Sequence, residues 1–283
     1  MIADRFKSAA LSVVILLALL MLWHVATLPD SAPAAASGGN AEYAALMGES
    51  PGAPVPTAGV PGPAQVGRAL VDRLSNPFYD NGPNDKGLGL QLLYSLGRVL
   101  LGYFFAVLVA VPIGFLLGMS PLMARALDPF VQVLKPISPL AWMPLALYTI
   151  RDSEQSAIFV IFVCSLWPML LNTAFGVAGV RKEWLNVART LEIGSWRRAF
   201  TLILPAALPT ILTGMRISIG IAWLVIVAAE MLVGGTGIGY FVWNEWNNLS
   251  LTSVIVAILL IGVTGMALDQ LLAAAIRLAT YPE

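Results

Sequence analysis

One cysteine and one histidine stand among 283 residues. Cys164 lies in an apolar run with no second thiol to pair with, which excludes an intrachain disulfide and a cysteine-rich metal site. His24, alone, excludes the usual multi-histidine metal clusters. Charge is scarce as well: 11% of residues are Asp, Glu, Lys or Arg, against 58% hydrophobic, and mean hydropathy is +0.80. A soluble domain carries roughly a quarter of its residues as charges, so this composition points to an integral membrane protein. The net charge of zero and pI of about 6.6 give no basic footprint, and no nucleic-acid partner is expected. The chain has no G-x-x-x-x-G-K-S/T phosphate cradle and is not expected to hydrolyse ATP by the P-loop route. These absences disfavour an enzyme.

Apolar runs are what the chain has in quantity. The first, AALSVVILLALLMLWHVATL, spans Ala9 to Leu28 behind Asp4, Arg5 and Lys7. It matches the ~20 residues that cross a bilayer. A cleaved secretory signal is the other reading, but the run is longer than a usual signal core, so a retained helix is the simpler account. Residues 29–90 are rich in Pro, Gly, Ala and Ser and read as an extended external loop, with a short helix at Ala64 to Arg73. That loop holds six acidic residues against Arg68, Arg73 and Lys86. Five further spans follow, at about 99–118, 139–150, 157–177, 211–233 and 251–276. Pro136, Pro139 and Pro144 beside or within the second make it a candidate for a kinked or re-entrant helix. The expected fold is therefore an all-α integral membrane protein with about six transmembrane helices. Its parts are an N-terminal helix at 1–28, the loop at 29–90 and a core at 91–283. With the N-terminus inside, ten basic residues fall on the cytoplasmic side and five outside, so the positive-inside rule places both termini in the cytoplasm.

One stretch breaks the apolar pattern. RKEWLNVARTLEIGSWRRAFTLILPAALPTILTG, from Arg181 to Gly214, carries five basic and two acidic residues up to Arg198 and two Leu-Pro pairs after it. Apolar residues recur at intervals of three or four from Trp184 to Ile203, which predicts two short amphipathic helices broken near IGSW. Pro205 and Pro209 then suit the first turn of a membrane-entering helix. Two readings stand: an interfacial helix held by arginine contacts with lipid head groups, or a docking surface for a cytoplasmic partner.

The segment NVARTLEIGSWRRAFTLILP resembles the cytoplasmic EAA loop of bacterial ABC importer permeases. Asn186 stands at the family's Glu position, Val187 and Ala188 at its two Ala positions, and Glu192 at its Gly position. Leu202 stands at its Ile position, and Leu204 with Pro205 complete the pattern; Gly194 comes two positions late. From about Gln91 to Ile276 the chain resembles the nitrate/sulfonate/bicarbonate branch of that family, nearest to its nitrate permease subunits, with bicarbonate counterparts next. The resemblance implies a type I ABC importer permease in the bacterial inner membrane: a homodimer with two ABC ATPase subunits that bind ATP and Mg, and an extracytoplasmic anion-binding protein or lipoprotein. No cofactor is expected in this chain. The coupling element would be a loop at about 178–206, with Arg189, Arg197 and Arg198 joining the motif positions as contacts to the ATPases.

For the anion pathway, Arg216 is the leading candidate, with head-group snorkelling or a structural partner as the alternative. Asn172 and Thr213 are further hydrogen-bond donors inside spans. Glu230 lies fourteen residues after Arg216, roughly 21 Å along a helix and about 40° around it. A carboxylate repels an anion, so Glu230 is read as fixing a helix or the GGTGIG turn after it, and it joins Trp223 as a structural or gating candidate. Asp269 is placed to pair across helices or with the charged stretch that begins at Arg181. Trp243 and Trp246 suit an interfacial belt or a lip for the delivering protein. A standalone carrier and a membrane scaffold are the competing classes; clear internal repeats, which would favour a carrier, are not evident.

Overall fold

The computed structural model describes residues 2–28, 60–82 and 85–279. Most of the expected external loop, residues 29–59, lies outside the described residues. Among those described, the regular structure is helical apart from one isolated bridge between Asp80 and Lys86. The helices are α1 (Ile2–Ala26), α2 (Pro63–Ser75), α3 (Leu88–Met119), α4 (Pro121–Leu134), α5 (Pro139–Ile150), α6 (Ser153–Ala178), α7 (Lys182–Thr190), α8 (Ser195–Val233), α9 (Ile238–Asn247) and α10 (Leu251–Ala279). Two compact units result: residues 1–72 with 251–256, and residues 73–250 with 257–283.

In the first unit, α1 is apolar from Ala10 to Ala26, and Thr27 Oγ1 closes its end by donating to the Trp23 carbonyl at 2.9 Å. Proline opens α2 at Pro63, where its missing N–H costs nothing.

The second unit is built on α3, α6 and α8, with α6 packed against both others. Small residues let α3 approach α6. Gly102, Ala106, Ala110, Gly114 and Gly118 recur every fourth position and form one buried ridge except at Gly118, which is half-buried. A Cβ on Gly114 would meet the Leu170 carbonyl at 2.6 Å and Thr173 at 2.8 Å. Close backbone approach of this kind is how helices associate where burial from water supplies no drive. On the other side of α6, a Cβ on Gly214 of α8 would meet Asn172 at 2.5 Å. The outward stripe of α3, including Leu101, Phe104, Phe105, Leu108 and Leu116, is apolar and exposed, as a bilayer-facing surface must be.

Among the described residues, four helices are long and apolar enough to cross a membrane: α3, α6, α8 and α10. Helices α4 and α5 pass that test only together and bend by 91° between them. The bend falls at Lys135 to Ser138, where Pro136 and Pro139 withhold N–H donors and bias the preceding residues away from helical geometry. The expected kinked or re-entrant segment is this pair.

The membrane-entering helix starts at Ser195, earlier than the Pro205 start read from the prolines, and runs unbroken to Val233. A π-turn at Ala199–Ile203 explains the difference: Leu204 donates to the Ala199 carbonyl five residues back, and the widened turn makes room for the Pro205 ring. The second of the two short amphipathic helices is thus the foot of α8.

Outside the spans, the Lys86 ammonium sits 3.0 Å from Asp80 across the turn before α3. Its hydrogen bond holds the Asp80 carboxyl below the ordinary range.

Candidate functional site

The turn between α7 and α8 is closed by its own backbone. Ile193 N–H donates to the Ala188 carbonyl and Glu192 N–H to the Arg189 carbonyl, each at 3.0 Å, which is the double bond of a Schellman cap. That cap needs a left-handed residue between them, and Glu192 occupies it at φ 53°. Glycine is the residue this geometry prefers, and Glu192 stands where the EAA pattern has glycine. Gly194 follows in an ordinary conformation, φ −56°, as the cap of α8.

Around this turn α7 buries only Ala188. Trp184, Val187 and Leu191 are all exposed and lie at i, i+3 and i+7, one apolar stripe facing away from the chain. Arg181 stacks over Trp184 at 5.3 Å. Asn186 and Arg189 are exposed beside the stripe, and so is Arg197 at the foot of α8; Arg198 is half-buried. Leu202 is half-buried, and Leu204 packs against the cluster of Val177, Val180, Ile203, Ala207 and Ile211. Pro205 is exposed.

Inside the spans, Arg216 of α8 meets Asp269 of α10 in a two-point pair. Nε donates to Oδ1 at 2.6 Å and Nη2 donates to Oδ2 at 2.5 Å. Both side chains are nearly half exposed, 45% and 46%. Asn172 donates to the Pro168 carbonyl and Thr213 to the Pro209 carbonyl, each at 2.8 Å on its own helix. Trp223 donates from its indole nitrogen to the Ile261 carbonyl at 3.0 Å, tying α8 to α10 about two turns from the ion pair.

Near the Val233 end of α8, Glu230 is 2% exposed and fully engaged. Its carboxylate accepts from Ser95 Oγ and Arg98 Nη1 on α3, both at 2.8 Å, and from Gly239 N–H on α9 at 3.0 Å. Ser95 Oγ in turn accepts from Ile238 N–H, and Arg98 reaches the Thr236 carbonyl. Three helices therefore meet on one buried carboxylate. The turn carrying Gly234, Gly235 and Gly237 adopts positive φ throughout those glycines, and a Cβ on Gly237 would collide with the Glu230 carboxylate. Arg98 and Ser95 were not singled out from the sequence; the signal was an arginine and a serine one turn apart in the first third of an apolar helix.

Among the described residues no group of three or more His, Cys, Asp or Glu side chains is placed to hold a metal ion. Residues 110–278 match the family model described as the binding-protein-dependent transport system inner membrane component. The chain is 45% identical over 214 residues to the nitrate import permease protein NrtB of Synechocystis sp., covering 76% of this chain and 78% of that protein. It is 44% identical over 198 residues to the bicarbonate transport system permease protein CmpB of the same organism, covering 70% and 71%. Among solved structures, a chain of the inward-facing MetNI methionine ABC transporter superposes with a TM-score of 0.62 at 16% identity, over 69% of this chain and 96% of that one.

Proposed function

Since the chain belongs to the family of binding-protein-dependent transport system inner membrane components and has the all-α type I importer permease fold, we propose that it is the permease subunit of an ATP-driven nitrate importer. Two copies form the anion pathway across the bacterial inner membrane with both termini cytoplasmic. Two ATPase subunits, carrying ATP and Mg, dock on the loop at about 178–206, and an extracytoplasmic anion-binding protein or lipoprotein delivers the cargo. In this division residues 1–28 are an N-terminal transmembrane helix, 29–90 an external loop and 91–283 the permease core.

The observation that carries the coupling role is the exposed stripe of Trp184, Val187 and Leu191. An apolar helix face turned outward beside basic side chains calls for a covering partner. Its rigid Schellman turn leads straight into α8, so displacement of α7 has a path into the span that bears Arg216. Nitrate is favoured by the identity to NrtB over the longer stretch. Bicarbonate is the second reading, supported by the similar identity to CmpB, because both cargoes are small planar oxyanions that the same guanidinium serves.

Uptake of labelled nitrate and labelled bicarbonate into proteoliposomes holding the assembled complex and its delivery protein tests the cargo. ATP-dependent nitrate uptake is expected. Bicarbonate uptake alone would reverse the assignment, and uptake of either without ATP would point to a standalone carrier. Arg197→Glu and Arg198→Glu are expected to weaken co-purification of the ATPases; unchanged co-purification would overturn the docking role of this loop.

A further inference from the structure

The bilayer-facing stripe of α3 runs into a groove. Leu101, Phe105, Leu108, Pro112, Leu116 and Met119 follow one another at intervals of three or four and are all exposed. The last three form one wall of a space of about 500 Å³, and Trp196, Ala199 and Phe200 at the foot of α8 form the other. Every lining residue except Ser195 is apolar. The Trp196 and Phe200 rings stack with centroids 6.0 Å apart, yet remain 79% and 58% exposed. From Val111 to Met119 the α3 wall is roughly 12 Å long, close to the ~15 Å depth of one leaflet of hydrocarbon.

We propose that this groove holds one acyl chain of an anionic phospholipid of the cytoplasmic leaflet, with its phosphate bound at the rim by Arg197 and Arg198. The inference rests on the importer-permease reading above for the side of the membrane that this end of α8 faces. Continuity with the outward stripe of α3 makes the bilayer the source of the occupant. Charge selects which lipid. With Ser195 as zero, Ala199, Trp196 and Phe200 fall at about 40°, 100° and 140° around the helix, and Arg197 and Arg198 at about 200° and 300°. The two arginines therefore stand about 60° outside the apolar arc, one on each flank. That is where a head group lies when its chain fills the arc. Neither guanidinium has a carboxylate partner among the described residues, so both are free for charge-assisted hydrogen bonds to phosphate. Basic side chains beside an apolar cleft at the cytoplasmic face are the usual setting for anionic head groups, and an exposed tryptophan suits that depth. The bound chain would cover the π-turn at Ala199–Ile203, the segment through which α7 joins the span. Because the same arginines belong to the loop proposed to meet the ATPases, the groove residues are what separate the two contacts.

Brominated phospholipids test the groove, since bromine on an acyl chain quenches the tryptophans it touches. The assembled complex is placed in mixed micelles with brominated phosphatidylglycerol or brominated phosphatidylcholine, and the part of the quenching due to Trp196 is the difference from Trp196→Phe. Half-maximal quenching of that part is expected at a phosphatidylglycerol fraction at least about fivefold below that for phosphatidylcholine, the effect of one arginine near a membrane surface. Arg197→Gln combined with Arg198→Gln should bring the two lipids level, with quenching by either persisting, whether or not the ATPases stay bound. Native mass spectrometry gives an independent count: phosphatidylglycerol retained by the complex should fall in Leu116→Trp, which takes up groove space from an exposed position. Absence of Trp196 quenching, equal quenching by both lipids, or an unchanged preference in the double arginine variant would overturn the inference. Unchanged retention in Leu116→Trp would do the same, and if that variant also shed the ATPases or the second copy, the groove would belong to a protein contact. A complex with the phosphatidylglycerol preference that carries neither anion would sink the importer reading and leave the lipid site standing.

Discussion

Removal of the Glu230 carboxylate tests whether α3, α8 and α9 are held together by one group. Glu230→Ala strips an acceptor that serves three donors, Ser95 Oγ, Arg98 Nη1 and Gly239 N–H. The Arg98 side chain, only 12% exposed, is left without its carboxylate. Glu154 stands 3.9 Å from Arg98 Nε and is itself well exposed, so it replaces little of the loss. Taking one partner from a buried ion pair costs ~3–5 kcal/mol, and each stranded donor costs ~1–3 kcal/mol. These costs overlap because the groups share one network. At an effective dielectric of about 20, unit charges ~4 Å apart interact by ~4 kcal/mol, which is the same size, so the expected loss is about 4 kcal/mol. Replacing the pair together, Arg98→Met with Glu230→Leu, removes the stranded charge. It leaves Gly239 N–H and the Ser95 hydroxyl to be satisfied, so about half the loss should return. The assay is denaturation of the purified chain in mixed micelles by increasing sodium dodecyl sulfate, followed through the fluorescence of its eight tryptophans. A full double-mutant cycle should give a coupling energy above ~1.5 kcal/mol. A loss under ~1 kcal/mol in Glu230→Ala, or single costs that simply add in the double variant, would refute the claim that the carboxylate and Arg98 act as a unit.

Two further outcomes follow from backbone geometry. Glu192→Gly places the preferred residue in the left-handed position of the cap after α7, and should stabilise that turn by about 1 kcal/mol or less while leaving ATPase co-purification intact; loss of co-purification would mean the Glu192 side chain itself contacts the partner. Gly114→Val drives a branched side chain into the Leu170 carbonyl and Thr173, which a single Cβ would already meet at 2.6 and 2.8 Å. The α3–α6 contact should open at a cost of at least 2–3 kcal/mol, seen as loss of folded protein in gel filtration, whereas Gly97→Val, with no heavy atom near its Cβ, should be tolerated.

Much of the architecture could be read from the chain because the bilayer enforces it. A run of apolar residues about as long as the hydrocarbon is thick has few ways to fold, and α3, α6, α8 and α10 fall where such runs lie. Local chemistry was also legible where it is written in neighbours: the prolines of the α4–α5 bend and the break near Gly194. The start of α8 was missed because Pro205 reads as a helix start in sequence, and only the π-turn before it, a backbone feature with no residue signature, lets the helix run through. Partners far apart in sequence were the other blind spot. Glu230 was read as fixing a helix or the glycine turn after it, and its carboxylate accepts from Gly239 N–H in that turn. Its larger partner, Arg98, is 132 residues away, and an arginine at the outer end of a span looks the same from sequence whether it meets a head group or a buried carboxylate. Asp269 was expected to pair across helices, and it does so with Arg216.

Those two pairs make α8 a different kind of element from the other spans. Of its charged residues within the membrane, Arg216 is tied to α10 and Glu230 to α3 and α9, roughly 21 Å apart along one rigid helix. The two ties differ in burial, and burial decides how each behaves under load. Glu230 is enclosed, with every partner fixed, so breaking it strands charge in an apolar surrounding and the junction moves as a block. Arg216 and Asp269 are nearly half exposed and joined by two hydrogen bonds, so fewer contacts are lost when they separate. A displacement entering at Ser195, if the ATPases press on α7 as proposed, therefore meets a yielding contact about midway along α8 and a firm hinge towards its Val233 end. Variants at the two ends should separate accordingly: those at Glu230 and Arg98 lower stability before they alter turnover, and those at Arg216 and Asp269 alter turnover in a complex that still assembles.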